Sequence, residues 1–452
     1  MSTNSAKNSR TASIDRRKML QMAGLMAGGA ALGAAPQRSR VAAQDLEEAE
    51  LRFYFGANPD EAKTRQKIID AFQEKFPQIK IKPQVAEGDA VQELQIMFAG
   101  GDGPDIMMAW ELNYSGLAER NIYADLQPYI DADEEYSKVV AEDHEPTLLK
   151  MFNYKEQQLV LPEQYAGVVL YYNTDMFEEA GVEPPPADWT DTSWTFDKFL
   201  ETAKALTKGE GGRVSQFGFT DAWWPPLSSM VIGTCNGGNW FDQYVLPTES
   251  TIADPNIMEA LQWYADLAYV HGVAPTAEQS QTQAGADLFM ANRAAMALVG
   301  HWMYPAFSGV DGLNFDIGVF PVGPNGTTPK SDLGSTGLSM SASTKYPDHV
   351  WEFIKFSTGP EGQALIAESG LFVPVLKSVA ASDAFLNAHA DIQNVNVYTD
   401  AMANSVELPI SPKWNEISVT WDREVTRVLQ GKASAEEVLP PLQDEINKIL
   451  GS

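Results

Sequence analysis

Four short segments set flat aromatic rings beside groups that exchange hydrogen bonds: Trp110-Glu111, Glu163-Gln164-Tyr165, Asp221-Ala222-Trp223-Trp224 and His301-Trp302. A molecule with apolar C–H faces and a rim of hydroxyls, as a sugar has, calls for this pairing of types. Rings cover its faces, and carboxylates, amides and hydroxyls meet its rim. Each segment also has a packing explanation, because most tryptophans serve a core and most carboxylates are solvated charges. Trp224 ahead of Pro225-Pro226, and Trp263, Trp351 and Trp421 within helical patterns, read as packing. Trp110 and Trp223 stand open between the two roles, and Asp221 and Glu111 rank above Glu163 as rim groups. Ser335-Thr336 among glycines, Asn58 after the first strand and Phe372 are further candidates. Their alternatives are a plain turn, a helix cap and simple packing.

Bond-making chemistry finds less support. His144, His271, His301, His349 and His389 lack metal-ligand spacing and read as surface or helix residues. The chain has no G-x-S-x-G elbow, phosphate loop or H-E-x-x-H helix. Gly209 to Gly212 follows a helix rather than a strand, so it reads as a turn, and Cys235 reads as a small buried residue. No metal, cofactor or catalytic residue is therefore expected. A secreted carbohydrate-active enzyme drawing two carboxylates from Glu111, Glu163 and Asp221 stays open as the alternative, since such pairs are defined by separation in space. A sugar-binding sensor is another.

The elements that must position these residues follow an alternating pattern. Leu51 to Phe55 reads as a strand, Asn58-Pro59-Asp60-Glu61 as a capped helix start, and Ile68, Ile69, Phe72 and Phe76 as one helical face that leads back to a strand through Ile79, Ile81 and Val85. A second unit runs from the helix Ala90–Ala99 through Gly100 to Pro104 into the strand ending at Trp110. Strands are also expected at Val168–Tyr172, Ala294–Val299 and Phe315–Phe320, and helices after Thr174, Thr195 and Asp254. The chain is mainly helical beyond Pro347. Alternation of this kind predicts α/β architecture with a mostly parallel sheet in each lobe, and ligand groups at the carboxyl ends of strands.

With 452 residues, 61 acidic and 32 basic, the chain has material for two cores and a net charge of −29, which argues against nucleic acid or anionic lipid as a partner. A basic segment ending in Asp15-Arg16-Arg17-Lys18 precedes the uncharged Met19–Ala35, the pattern of an export signal over 1–43. Its paired arginines resemble twin-arginine signals, an ordinary secretory signal being the alternative. Val41-Ala42-Ala43 suits cleavage before Gln44, and no cysteine stands there for lipid attachment. An extracytoplasmic location follows.

Several segments in order resemble the extracellular solute-binding proteins of ATP-driven importers, the family that includes maltose-binding protein. They are Gly103-Pro104-Asp105-Ile106, Leu170-Tyr171-Tyr172-Asn173, Trp194-Thr195-Phe196, Gly237-Gly238, Ala295-Met296 with Gly300-His301-Trp302, Phe320-Pro321 with Leu333 to Gly337, and Gly431 to Leu450. The resemblance implies a two-lobed, periplasmic-binding-protein-like fold of type II with the ligand between closing lobes. It implies a sugar or oligosaccharide ligand, the permease subunits of an ABC importer as partners, and a monomer. Lobe I is expected from 46–165 and about 332–372, lobe II from 166–331 and about 373–452. The resemblance also matches Trp302 and Trp414 to stacking tryptophans, while Tyr165 is a candidate from its own segment, Glu163-Gln164-Tyr165. Ala166 stands where maltose-type relatives carry a sugar-binding glutamate, so maltose itself is not implied.

Overall fold

The computed structural model describes residues 46–210 and 213–452. The expected export signal over 1–43 lies outside the described residues. Among the described residues no helix is long and apolar enough to cross a membrane.

The first strand, Ala49–Phe55, alternates between two cores. Leu51, Phe53 and Phe55 face one, and Tyr54 faces the other. Ile106 and Met108 against Met107 and Ala109 repeat this division in the strand Ile106–Trp110. Near-continuous apolar runs are what a sheet covered on both faces demands. Between the first two strands runs the helix Pro59–Lys75. Asn58 Oδ1 accepts from the backbone of Asp60 and Glu61, and Glu61 returns a bond to Asn58 N, closing the expected capping box. The helix Thr174–Ala180 stops where Gly181 takes φ +65°, a left-handed turn that glycine adopts without a Cβ penalty.

Two sheets result. The larger has six strands in the order Val373–Pro374, Leu161–Tyr165, Ser335–Met340, Ile106–Trp110, Ala49–Phe55 and Ile79–Val85. The smaller has four, in the order Thr220–Asp221, Met296–Gly300, Val168–Asn173 and Phe315–Gly318. The chain folds as α/β with two lobes, but the sheets are mixed rather than mostly parallel. Ala49–Phe55 is parallel to both its neighbours, whereas Ser335–Met340 runs antiparallel to Ile106–Trp110 and to Leu161–Tyr165. Met296–Gly300 and Phe315–Gly318 likewise run antiparallel to Val168–Asn173. Strands linked by a covering helix must return in the same direction. A strand that arrives from the other sheet is under no such constraint.

Three connections are tied together between the sheets. Tyr165 OH donates to Asp332 O at 3.2 Å and shares a hydrogen bond with Ser405 Oγ at 2.9 Å. Val168 N donates to Asp332 Oδ1 at 2.8 Å, and Ser331–Asp332 pairs with Ser405–Val406 in parallel. The helices Pro225–Cys235, Pro255–Tyr269, Trp414–Leu429 and Ala435–Leu450 pack as a group on the smaller-sheet side, around Trp240 against Trp421 with ring centroids 4.7 Å apart.

Against the surface reading, His144, His301 and His389 are buried. The Nε2 atoms of His301 and His389 lie 2.6 Å apart, and the Tyr398 ring stacks on His301 at 3.9 Å. Their side chains close contacts made far along the chain, which local pattern does not reveal. Burial pushes all three imidazoles below their ordinary value, His144 to about 4. Because these groups bind protons more weakly folded than unfolded, the stability they contribute is complete above about pH 6.5 and is lost as pH falls toward the folded values. The imidazoles' contribution to melting temperature should therefore fall between pH 6.5 and 4, against the rise contributed by carboxyls that burial holds protonated, such as Glu111 and Asp332. His301→Asn should make that fall shallower, and an unchanged slope would show that the pair does not titrate with unfolding.

Candidate functional site

A cavity of about 430 Å³ opens between the two sheets. Strand direction explains what lines it. Trp110 ends the strand Ile106–Trp110, Asn58 follows Ala49–Phe55, Trp302 follows Met296–Gly300, and Trp223 follows Thr220–Asp221. These are carboxyl ends of strands, where open α/β sheets gather ligand groups. Thr336 reaches the same edge from the opposite direction, because it pairs with Trp110 in the antiparallel register.

Eight of the expected residues meet here: Asn58, Trp110, Glu111, Trp223, Trp302, Ser335, Thr336 and Phe372. They differ in what they have left to offer. The Asn58 carbonyl oxygen is occupied by the helix cap, and Ser335 Oγ donates to Gln164 O at 2.8 Å. Thr336 Oγ1 is buried without a partner. Glu111 Oε2 accepts weakly from Ser335 N at 3.4 Å, and burial, helped by the charge of Asp332, pushes its carboxyl up to about 8. Burial pushes Asp332 up to about 6.

Two tryptophans lie where only glycine leaves room. A Cβ on Gly56 would stand 2.8 Å from Trp110 Cζ2, and one on Gly300 would stand 1.8 Å from Trp302 Cζ3. Each ring thus rests directly on backbone, which fixes its height in the wall.

Three expected residues go elsewhere. Trp414 is buried with 4% exposure in the core shared by Leu112, Ile417 and Trp421, and lines no described cavity. It opens the helix Trp414–Leu429 and shares that helix's inward face, so its ring is spent on the core. Tyr165 is fully buried among the connections between the sheets. Asp221 lies outside the 430 Å³ cavity. Its Oδ1 holds Trp223 N at 2.8 Å, and its Oδ2 accepts from Tyr264 OH, so it shapes the turn that presents Trp223. Burial raises the Asp221 carboxyl.

Asp221 does line a second cavity, of about 520 Å³, with Phe219, Tyr264, Gln281 and Asp422. Trp223 and Trp224 line both spaces, so the two flank one aromatic turn. Trp224 packs against the core around Trp240 and Trp421 and also forms wall in both spaces. Sequence reasoning also missed Glu61, Asn113, Gln164 and Asp332, all in the first cavity. Gln164 stood within a segment already singled out, and Asp332 carried no local signal. Glu163 does not reach either space. It is buried, with Oε2 2.5 Å from Arg65 Nη1.

Two lobes about a cleft with aromatic walls and polar strand ends are the architecture of a solute-binding protein. The chain belongs to the family of bacterial extracellular solute-binding proteins, whose model matches residues 56–364. An ABC substrate-binding protein of Listeria monocytogenes, solved in complex with cycloalternan, superposes with a TM-score of 0.79 at 26% identity, over 90% of this chain and 100% of that one. The diacetylchitobiose binding protein of Streptomyces coelicolor is 22% identical over 82% of this chain and 83% of its own length. A probable ABC transporter-binding protein of Deinococcus radiodurans is 24% identical over 82% and 87%. Membership of this family makes the protein extracytoplasmic, and these relatives are named as binding proteins rather than enzymes.

Proposed function

We propose that the protein captures a sugar or oligosaccharide in the cleft and delivers it, unaltered, to the permease of an ABC importer, acting as a monomer. The observation that carries this is the convergence of Trp110, Trp223 and Trp302 with Glu111 and the unpartnered Thr336 hydroxyl in one cavity. Flat rings take the C–H faces of a pyranose, and the carboxyl and hydroxyl groups take its rim. Oligosaccharides named for the relatives, cycloalternan and diacetylchitobiose, support the same ligand class. In this reading Asn58, Ser335 and Phe372 shape the wall, while Tyr165 and Asp332 lace the hinge. Lobe I comprises 46–165 and a second stretch from about 332, and lobe II the intervening chain and the C-terminal helices. The export signal over 1–43, of twin-arginine type, carries the protein out.

Ligand that touches both lobes favours the closed arrangement by its differential affinity. A thermal-shift screen of mono- and oligosaccharides, polyols, amino acids and peptides should single out saccharides, because ligand bound to the native state raises its stability by mass action. Small-angle scattering on the best ligand should record compaction. Stabilisation by amino acids or peptides alone would overturn the saccharide assignment, and hydrolysis of the bound sugar by purified protein would favour the enzyme.

A further inference from the structure

We infer that the cleft selects a saccharide carrying a free, protonated amine over its neutral and anionic counterparts; this rests on the saccharide reading above. Glu61, Glu111 and Asp332 line the first cavity, and Asp221 and Asp422 line the second. No lysine, arginine or histidine is among the described residues lining either one. Arg65, behind the first cavity, is committed to Glu163. An anionic sugar would meet carboxylates with nothing to neutralise it, in a place where water is scarce and repulsion strong.

One side-chain atom outside the acidic set, and one within it, are left open to a ligand. Thr336, 9% exposed in the first cavity, leaves Oγ1 without a partner. Asp422, which lines the second, leaves Oδ1 buried and unpartnered. Buried polar atoms left unmade cost the fold free energy, so both are poised for a donor or acceptor that a ligand brings.

Charge balance gives the rest. Burial and the facing Asp332 keep Glu111 protonated well into the neutral range, and burial alone raises Asp422 to about 6. An ammonium group entering beside Glu111 stabilises the carboxylate, the carboxyl proton leaves to solvent, and the neutral Glu111 acid is replaced by an ion pair. A neutral acetamide in the same place gains no such pairing. The pair needs an ionised Glu111 and a protonated amine, so amine affinity should pass through a maximum near neutral pH, falling below it as Glu111 holds its proton and above it as the ammonium loses its own, while acetamide affinity shows no such maximum.

Titration calorimetry with the full mature chain can use four probes: a glucosamine oligosaccharide with free amines, its fully N-acetylated counterpart, a gluco-oligosaccharide and an oligouronate. At about pH 6.5, where both the sugar amine and Glu111 carry their protons, the amine should bind about tenfold more tightly than the acetamide, a difference of one well-placed charge pair, with proton release detectable by changing the buffer. Glu111→Gln should weaken both but bring their ratio close to one, and its melting curve will report folding. Equal affinity for amine and acetamide, or binding of the uronate, would overturn the amine preference while leaving the saccharide reading intact. Silence toward all four would remove that reading and this inference together.

Discussion

Arg65→Met should destabilise the protein by about 3–5 kcal/mol, measured as the free energy of urea unfolding. The guanidinium is 5% exposed, its Nη1 lies 2.5 Å from Glu163 Oε2, and its carbon lies 5.6 and 5.5 Å from the ring centroids of Phe53 and Phe55. Glu163 is fully buried, with Oε1 receiving Ser357 Oγ. Taking away the cation leaves a carboxylate in a place where charge is poorly solvated, and that, rather than a lost attraction, sets the size of the effect. The same reasoning fixes a control. Removing both charges, in Arg65→Met with Glu163→Gln, should recover most of the loss, because two neutral side chains of similar volume carry no such penalty. A double variant as damaged as the single one would mean that packing against Phe53 and Phe55 carries the stability instead.

Trp302→Ala should weaken saccharide binding by about 1–3 kcal/mol with little change in melting temperature of the empty protein. The ring is only partly buried, so its apolar face is free to be covered by ligand rather than already spent on the core. Gly300→Val tests the same surface without removing it. A Cβ at that position collides with the Trp302 ring, so the ring must move and affinity should fall even though every contact residue is still present. Calorimetry on both variants separates the outcomes. Unchanged affinity in Trp302→Ala would remove that ring from the site, and unchanged affinity in Gly300→Val would mean the ring tolerates another position.

Where local rules act, the sequence was readable. Asn58 and Glu61 are three residues apart, so their capping box needs no knowledge of the fold, and Trp110 and Trp302 follow strands that alternation alone announces. Where partners are remote, it was not. Strand direction depends on which sheet the chain is leaving, and the glycines around Ser335-Thr336 suggested a turn where the antiparallel strand Ser335–Met340 begins. Asp332 binds Val168 N across the hinge, and nothing beside it in sequence hints at that. Trp414 is a different case, because its signal was present: Trp414, Ile417, Trp421, Val425 and Val428 recur at helical spacing and are all buried. Glu163 and Gln164 show the finest grain of the problem, as neighbours that end in a buried ion pair and in the cleft.

The position of Ser335–Met340 between Ile106–Trp110 and Leu161–Tyr165 also governs how the protein can be made. A ribosome delivers Ala49–Phe55, Ile79–Val85, Ile106–Trp110 and Leu161–Tyr165 long before the strand that must lie between the last two, and the smaller sheet is synthesised in the interval. The first lobe to appear is thus the one that has to wait, with an open gap and two unpaired edges, until residue 340 emerges. Closing a sheet over so long a loop is slow, and exposed edges invite association with other chains. Sequential, lobe-by-lobe folding during translation is therefore closed to this topology, and a nascent chain that has not yet supplied its central strand is the state a chaperone must hold.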